Sequence, residues 1–258
     1  MSNRTSLAVT RVANSCVLLE FGEHTVLTDP FFTERWHLHR GEPLGMTVAE
    51  LPRLTALVAS HAYPNHWDLR ALREYPHKSA TPVYVSTTRM ARQARSLGFT
   101  RVRHLEWGRS DRPALELAVR AVPAGGRSWW RRNAYLLDGE GVRVFFGGEI
   151  GDVAFLERHR EAHPAVDVAL LPVNGLRAPL GPPVVMGPEQ AVRGAGVLGA
   201  RVLIPIHDAH DDKDLPARLV RRHGSGEEAA AISASTPGAP ETVLLPTGRR
   251  WTYREAVR

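Results

Sequence analysis

Residues suited to metal binding or proton transfer follow three of the apolar runs that the sequence predicts to be strands. His61 and His66 follow the first of these runs, Glu149 follows the second, and His207 ends the third. Ligand sites in open α/β sheets form beyond the carboxyl ends of strands. Imidazole and carboxylate groups are ligands that suit zinc, iron and manganese. The pattern favours a divalent metal site, but it leaves open an ordinary set of polar strand ends.

The other histidines are interpreted as surface or structural residues, because they lie in predicted turns or on polar faces. Histidine is common in such positions without any chemical role. These eight are His24, His37, His39, His77, His104, His159, His163 and His223.

The composition predicts a soluble globular protein and argues against specific nucleic-acid binding. Of 258 residues 43% are apolar and 23% are charged, and the formal net charge is +6. The basic residues are 31 scattered arginines and two lysines, a bias that indicates GC-rich coding more than selection for phosphate contacts. No apolar run is long enough to span a membrane, and no secretory signal is visible. The single Cys16 excludes disulfide frameworks and cysteine-built zinc sites, so we expect a cytoplasmic protein.

The order of predicted elements favours two packed sheets covered by helices. Two blocks made mainly of strands, at about 6–30 and 114–148, each precede a series of alternating strands and helices. A single doubly wound sheet would not place strand blocks first and in the middle. The prediction is a four-layer αββα sandwich, treated as one domain over residues 1–258. A stretch at 224–240, rich in Gly, Ser, Ala and Pro, is interpreted as a linker.

Residues 61–68 (HAYPNHWD) resemble an altered form of the HxHxDH signature of metallo-β-lactamase-fold hydrolases. Segments at 14–32, 144–152 and 186–208 also resemble this family, in the family's order. The similarity is to the branch that includes ascorbate-6-phosphate lactonases and N-acyl-phosphatidylethanolamine-hydrolysing phospholipases D. The resemblance covers about residues 6–210, and it implies an αββα fold, a hydrolytic reaction and a metal centre.

The first of the family's two metal sites loses most of its ligands in this chain. His61 and His66 match signature histidines, but Tyr63 replaces the second histidine and Asn65 replaces the aspartate. Gly126 falls where the resemblance places the third histidine of that site. A glycine offers no side-chain ligand, so the first site is expected to hold no ion.

The second metal site is more complete. Glu149 stands in place of the bridging aspartate, and His207 matches the final histidine. The resemblance implies that His66, Glu149 and His207 hold one ion of zinc, manganese or iron, although binding of no metal stays open. It also implies that Asp29 supports a ligand histidine through a hydrogen bond.

Arginines and tryptophans near Gly126 are candidates for substrate binding. A guanidinium within about 8 Å of His61 would replace the lost metal charge and bind phosphate or carboxylate. The candidates are Arg127, Arg131 and Arg132. The tryptophans that could line an apolar part of the cavity are Trp67, Trp129 and Trp130. Surface arginines and core tryptophans are the alternative interpretation.

Three functional hypotheses remain. The first is a hydrolase-like enzyme acting on a small ester, lactone or phosphoester, with an anionic substrate as one alternative. Its catalytic groups would be His61, Tyr63, Asn65 and Glu149. The second is a metal-independent, non-hydrolytic enzyme of specialised metabolism, with a cyclisation or rearrangement in the same cavity. The third is a pseudoenzyme that binds a ligand or a partner protein.

Overall fold

The computed structural model describes residues 6–126, 131–177, 184–209 and 221–254. The strands are β1 Leu7–Ala13, β2 Cys16–Phe21, β3 His24–Thr28, β4 Ala56–Ala59, β5 Val83–Val85, β6 Val102–His104, β7 Ser110–Ala114, β8 Leu117–Gly125, β9 Arg132–Gly139, β10 Val142–Phe146, β11 Val168–Pro172, β12 Val202–Ile206, β13 Glu241–Thr242 and β14 Arg250–Tyr253. The helices are α1 Leu69–Glu74, α2 Thr88–Ser96, α3 Ala154–Ala162, α4 Pro188–Val197 and α5 Gly226–Ser235, and a 3₁₀ turn covers Val48–Glu50.

The strands form two seven-stranded sheets that pack face to face. The first has the order β14-β1-β2-β3-β4-β5-β6 and the second has the order β13-β12-β11-β10-β9-β8-β7. Phe21, Tyr135 and Phe146 belong to the buried cluster between the sheets. Two further clusters lie under α1 and α2 on one outer face and under α3 and α4 on the other. The predicted αββα sandwich is therefore confirmed, because apolar side chains on both faces of each sheet require these layers.

Parallel pairing brings the functional residues to one rim of the sandwich. In the first sheet β3 pairs in parallel with β4, and in the second β10, β11 and β12 are parallel neighbours. The carboxyl ends of such strands share one edge. Asp29 and His61 follow strands of the first sheet, and Glu149, Asn174 and His207 follow strands of the second.

The prediction of a linker at 224–240 is wrong, because this stretch contains helix α5. The hydroxyl of Ser225 accepts a hydrogen bond from the backbone N–H of Glu228 and so caps the helix. The acidic Glu227 and Glu228 occupy its first turn, and alanines follow. Capping, favourable charge and alanine propensity outweigh a composition that is otherwise typical of linkers. None of the helices in the described ranges is long and apolar enough to cross a membrane.

Candidate functional site

The carboxylate of Glu149 lies at the centre of three histidines. Its Oε1 is 3.2 Å from Nε2 of His66 and 3.0 Å from Nε2 of His207, and its Oε2 is 3.2 Å from Nε2 of His61. The ring centroids of His66 and His207 are 5.2 Å apart, and those of His61 and His66 are 4.3 Å apart. Four residues from three distant segments of the chain thus converge on one buried point.

Asp29, which is fully buried, orients two of these histidines. Its Oδ2 accepts hydrogen bonds from Nδ1 of His66 at 2.7 Å and from the hydroxyl of Ser60 at 2.6 Å. Because the Ser60 hydroxyl donates to Asp29, it is left to accept a hydrogen bond from Nδ1 of His61, 2.9 Å away. Both rings consequently direct Nε2 toward Glu149.

Charge and burial compete at this cluster. Burial disfavours a charged His66, but Asp29 and Glu149 outweigh that effect and raise the pKa of His66 to about 9. Burial also raises the pKa of the Glu149 carboxyl, but the neighbouring His61 and His66 and the hydrogen bond from His207 hold this pKa well below its usual range. Glu149 is therefore an anion that needs a nearby cation, either a proton on histidine or a metal ion.

The residues present fit one divalent ion. The ligand atoms of His61, His66 and Glu149 all lie within 4.8 Å of one another. Nδ1 of His66 is bonded to Asp29, and its buried Nε2, 3.2 Å from Oε1 of Glu149, does not make a hydrogen bond of good geometry. A histidine held by a carboxylate at one nitrogen, with the other nitrogen left for a cation, is a common arrangement at metal sites.

The same residues do not fit a second ion. Gly126 supplies no ligand, and the half-exposed Tyr63 on the cavity wall offers a phenol in place of an imidazole. Asn65 lines the same cavity, where its buried Oδ1 has no hydrogen-bond partner. A neutral amide and a phenol are weak replacements for a carboxylate and an imidazole.

A cavity of about 480 Å³ opens above the cluster. Its apolar wall includes Phe31, Leu38, Leu176 and Val184. Its arginines are Arg40, Arg89, Arg131, Arg132 and Arg222, and Glu149 is the only carboxylate among the described residues that line it. His39 also lines the cavity, although its sequence context suggested only a surface role. The lining thus combines several arginines with apolar side chains.

Of the predicted substrate-binding residues, Trp67 is absent from the described cavity wall, and Trp129 lies outside the described residues. Trp67 is 2% exposed and is instead a core residue beside helix α2, where its Nε1 donates a hydrogen bond to Oε1 of Gln93 at 3.1 Å. Arg127 and Trp130 lie outside the described residues. Arg132 lies close to the cluster, with Nη1 at 3.7 Å from Oε2 of Glu149.

Sequence reasoning missed two residues that position the cluster. Ser60 directly follows β4, and Asn174 lies just after β11. The argument from strand ends that was applied to the histidines could therefore have found both residues. Nδ2 of Asn174 contacts Nδ1 of His207 at 2.6 Å. Arg40 and Arg89 come from a loop and a helix, and no sequence signal distinguishes them from the other arginines.

A family model described as a β-lactamase superfamily domain matches residues 24–207. The chain therefore belongs to the β-lactamase superfamily, in agreement with its fold and with its histidine cluster. An uncharacterized protein of Mycobacterium tuberculosis is 30% identical over 221 residues, which cover 78% of this chain and 58% of that protein. This chain thus spans less than two thirds of the length of that relative.

Two further proteins are similar over most of their length. A protein of Opitutus terrae, described as a metal-dependent hydrolase, is 26% identical over 214 residues, covering 78% of this chain and 84% of that one. Igni18, a metallo hydrolase from Ignicoccus hospitalis, superposes with a TM-score of 0.75 at 19% identity, covering 97% and 99% of the two chains. The structural match supports the fold. The resemblance to metallo-β-lactamase-fold hydrolases is confirmed, while the particular branch stays a prediction.

Proposed function

We propose that the protein is a hydrolase that cleaves a small anionic ester, lactone or phosphoester with one divalent metal ion. The observation that carries the proposal is the convergence of three imidazole Nε2 atoms, at 3.0–3.2 Å, on one buried carboxylate below a cationic cavity. The description of the Opitutus terrae relative as a metal-dependent hydrolase supports it.

His66, Glu149 and His207, the ligands that the resemblance implies, would hold the ion; Nε2 of each histidine lies 3.0–3.2 Å from Oε1 of Glu149. Their nitrogen and carboxylate donors suit zinc, iron or manganese. When bound, such an ion lowers the pKa of a water molecule and polarises the scissile carbonyl or phosphoryl group. Asp29 fixes the ring of His66 directly and that of His61 through Ser60.

Three polar side chains that line the cavity have different proposed roles in the reaction. His61 lines the cavity and contacts Glu149 through Nε2, so it is placed to exchange a proton with a substrate oxygen. Asn65 offers a buried carbonyl oxygen that can accept a hydrogen bond from a substrate hydroxyl or a water molecule. The phenol of Tyr63, on the same wall, can donate to a leaving-group oxygen.

The substrate is proposed to be anionic because of the cavity's charge. Among the described residues that line the cavity, arginines outnumber carboxylates. Arginine binds phosphate and carboxylate oxygens through paired N–H groups. The apolar wall around Leu38 and Val184 suits a hydrocarbon portion of the same molecule.

The test is hydrolysis of 4-nitrophenyl phosphate, bis(4-nitrophenyl) phosphate and a carboxylate-bearing lactone by the purified protein. Glu149→Gln removes the central charge, and Arg193→Gln is a matched control because Arg193 is exposed and forms an ion pair with Glu157 on the surface. We expect turnover by the wild type and the control, and a loss of about 100-fold or more in kcat/KM for Glu149→Gln.

Two outcomes would change the proposal. Turnover that Glu149→Gln leaves intact would contradict it, because the reaction would then occur elsewhere. Turnover that survives complete removal of metal, yet is lost in Glu149→Gln, would favour the metal-independent enzyme instead.

A further inference from the structure

Arg132 lies where the chain has lost its first metal site. Gly126, which stands in place of a ligand histidine, directly follows β8, and Arg132 begins β9. The two strands are antiparallel, and Gly125 pairs with Arg132 in their register. Arg132 therefore lies at the loop end of the β8–β9 hairpin. The resemblance places the lost ligand histidine at this same end, at Gly126.

Gly125 makes room for the guanidinium. A Cβ built at this position would lie 3.0 Å from Nη2 of Arg132, and the backbone has a φ of +118°. Both the contact and this φ disfavour any residue with a side chain. The glycine thus permits the guanidinium to lie close against the end of β8.

Two contacts direct the guanidinium toward the histidine cluster. Nη1 donates a hydrogen bond to the backbone carbonyl of Val184 at 3.3 Å and lies 3.7 Å from Oε2 of Glu149. The same Oε2 is 3.2 Å from Nε2 of His61. Because both groups contact one oxygen, Arg132 lies within the predicted reach of about 8 Å from His61.

The guanidinium keeps hydrogen-bonding capacity after these contacts. Only 17% of its side chain is exposed, and its buried Nε has no hydrogen-bond partner. Beside it, Arg131 also lines the cavity, and its guanidinium lies 4.7 Å from the ring centroid of Trp107. Arg131 and Arg132 line a cavity in which Glu149 is the only carboxylate among the described lining residues, so the lining carries excess positive charge.

We propose that Arg132 takes over the positive charge of the lost first metal ion and binds an anionic oxygen of the substrate, of a phosphate or carboxylate group, on the cavity side of its contact with Glu149 and close to His61. The identification of this anion as a substrate rests on the proposed function. Binding of an anion at Arg132 does not itself require hydrolysis. The planar fork of arginine presents two N–H groups to such an oxyanion, and partial desolvation strengthens the contact.

The experiment is calorimetric titration of the protein with inorganic phosphate and, separately, with acetate. Each titration is run on protein as purified and on protein dialysed against EDTA, so that binding to a metal ion is separated from binding to arginine. The variants are Arg132→Gln, Arg132→Lys and the surface control Arg193→Gln. Circular dichroism and thermal unfolding check that each variant is folded.

We expect phosphate to bind the dialysed wild type and Arg193→Gln equally, and to bind Arg132→Gln at least about tenfold more weakly. Arg132→Lys, which keeps the charge and lacks the fork, should recover only part of the affinity. Tighter binding of acetate than of phosphate would assign the site to carboxylates. Wild-type affinity in folded Arg132→Gln, or no binding of either anion by the wild type, would overturn the inference.

The outcome is separable from that of the hydrolase proposal. Phosphate binding that depends on Arg132 in a protein without hydrolytic turnover would refute the hydrolase and keep the anion site. Normal turnover, combined with anion binding that is unchanged in Arg132→Gln, would support the hydrolase and refute the anion site.

Discussion

Nδ1 of His66 donates a hydrogen bond of 2.7 Å to Oδ2 of Asp29, and both side chains are fully buried. Asp29 leaves strand β3 with a φ of +35°, an uncommon value for a residue other than glycine. Such backbone conformations concentrate at functional sites, where surrounding contacts hold them in place. In this protein the contacts include the hydrogen bond from the Asp29 N–H to the carbonyl of Val58 at 2.9 Å.

Asp29→Asn should weaken metal binding by about 10–100-fold, because the amide no longer holds His66 and Ser60 with a full negative charge. Competition between the protein and a coloured zinc chelator measures this affinity. Asp152→Asn is the control, since the exposed Asp152 accepts a hydrogen bond from the N–H of Ala154, at the start of α3, at 2.9 Å. Equal zinc affinity in Asp29→Asn and wild type would show that Asp29 does not support a ligand.

The stability of metal-free protein should fall as the pH rises from about 6.5 to about 9. The pKa of His66 is raised to about 9 in the folded state, so its stabilising effect is complete below the unfolded value near 6.5 and is lost as the pH passes the folded value. The expected loss is on the order of 3 kcal/mol. Urea unfolding in EDTA at several pH values measures the free energy of unfolding. If this free energy depends on pH in His66→Gln as it does in the wild type, the effect does not come from His66.

Two glycines of helix α4 should respond oppositely to alanine. A Cβ at Gly194 would lie 2.6 Å from Cδ1 of the buried Leu156, whereas a Cβ at the exposed Gly196 would meet no atom within 4 Å. Gly194→Ala should therefore destabilise the protein by about 1–3 kcal/mol through overpacking. Gly196→Ala should be neutral or stabilising by up to about 1 kcal/mol. Denaturant unfolding compares them, and equal effects would contradict the packing described between α3 and α4.

The convergence of His61, His66, Glu149 and His207 could be predicted from sequence because a simple rule governs it. Each residue follows the end of a strand, and parallel strands bring their ends to one edge. The rule needs only apolar runs, which are the clearest signal in this sequence. It does not specify which side chains touch, so the central position of Glu149 required the structure.

Other features had no comparable signal. Trp67 occupies the core because α1 and α2 close over it, and the residue type alone suits a cavity wall equally well. The short strand β7 lies at the sheet edge, where its polar sequence and Pro113 are tolerated, and it lacks strand-like alternation. Arg40 and Arg89 reach the cavity through tertiary packing that sequence spacing does not encode.

The most direct test of a single-ion hydrolytic centre is elemental analysis of protein purified without chelator or added metal, with His66→Ala measured alongside. The account predicts close to one equivalent of zinc, iron or manganese per chain in the wild type, because one set of ligands surrounds Glu149 and the resemblance implies that Tyr63 and Gly126 replace two ligands of the family's first site. It predicts a large loss in His66→Ala, since a three-ligand site has no spare ligand. Two tight ions per chain, or less than about a tenth of an equivalent in folded wild-type protein, would contradict it.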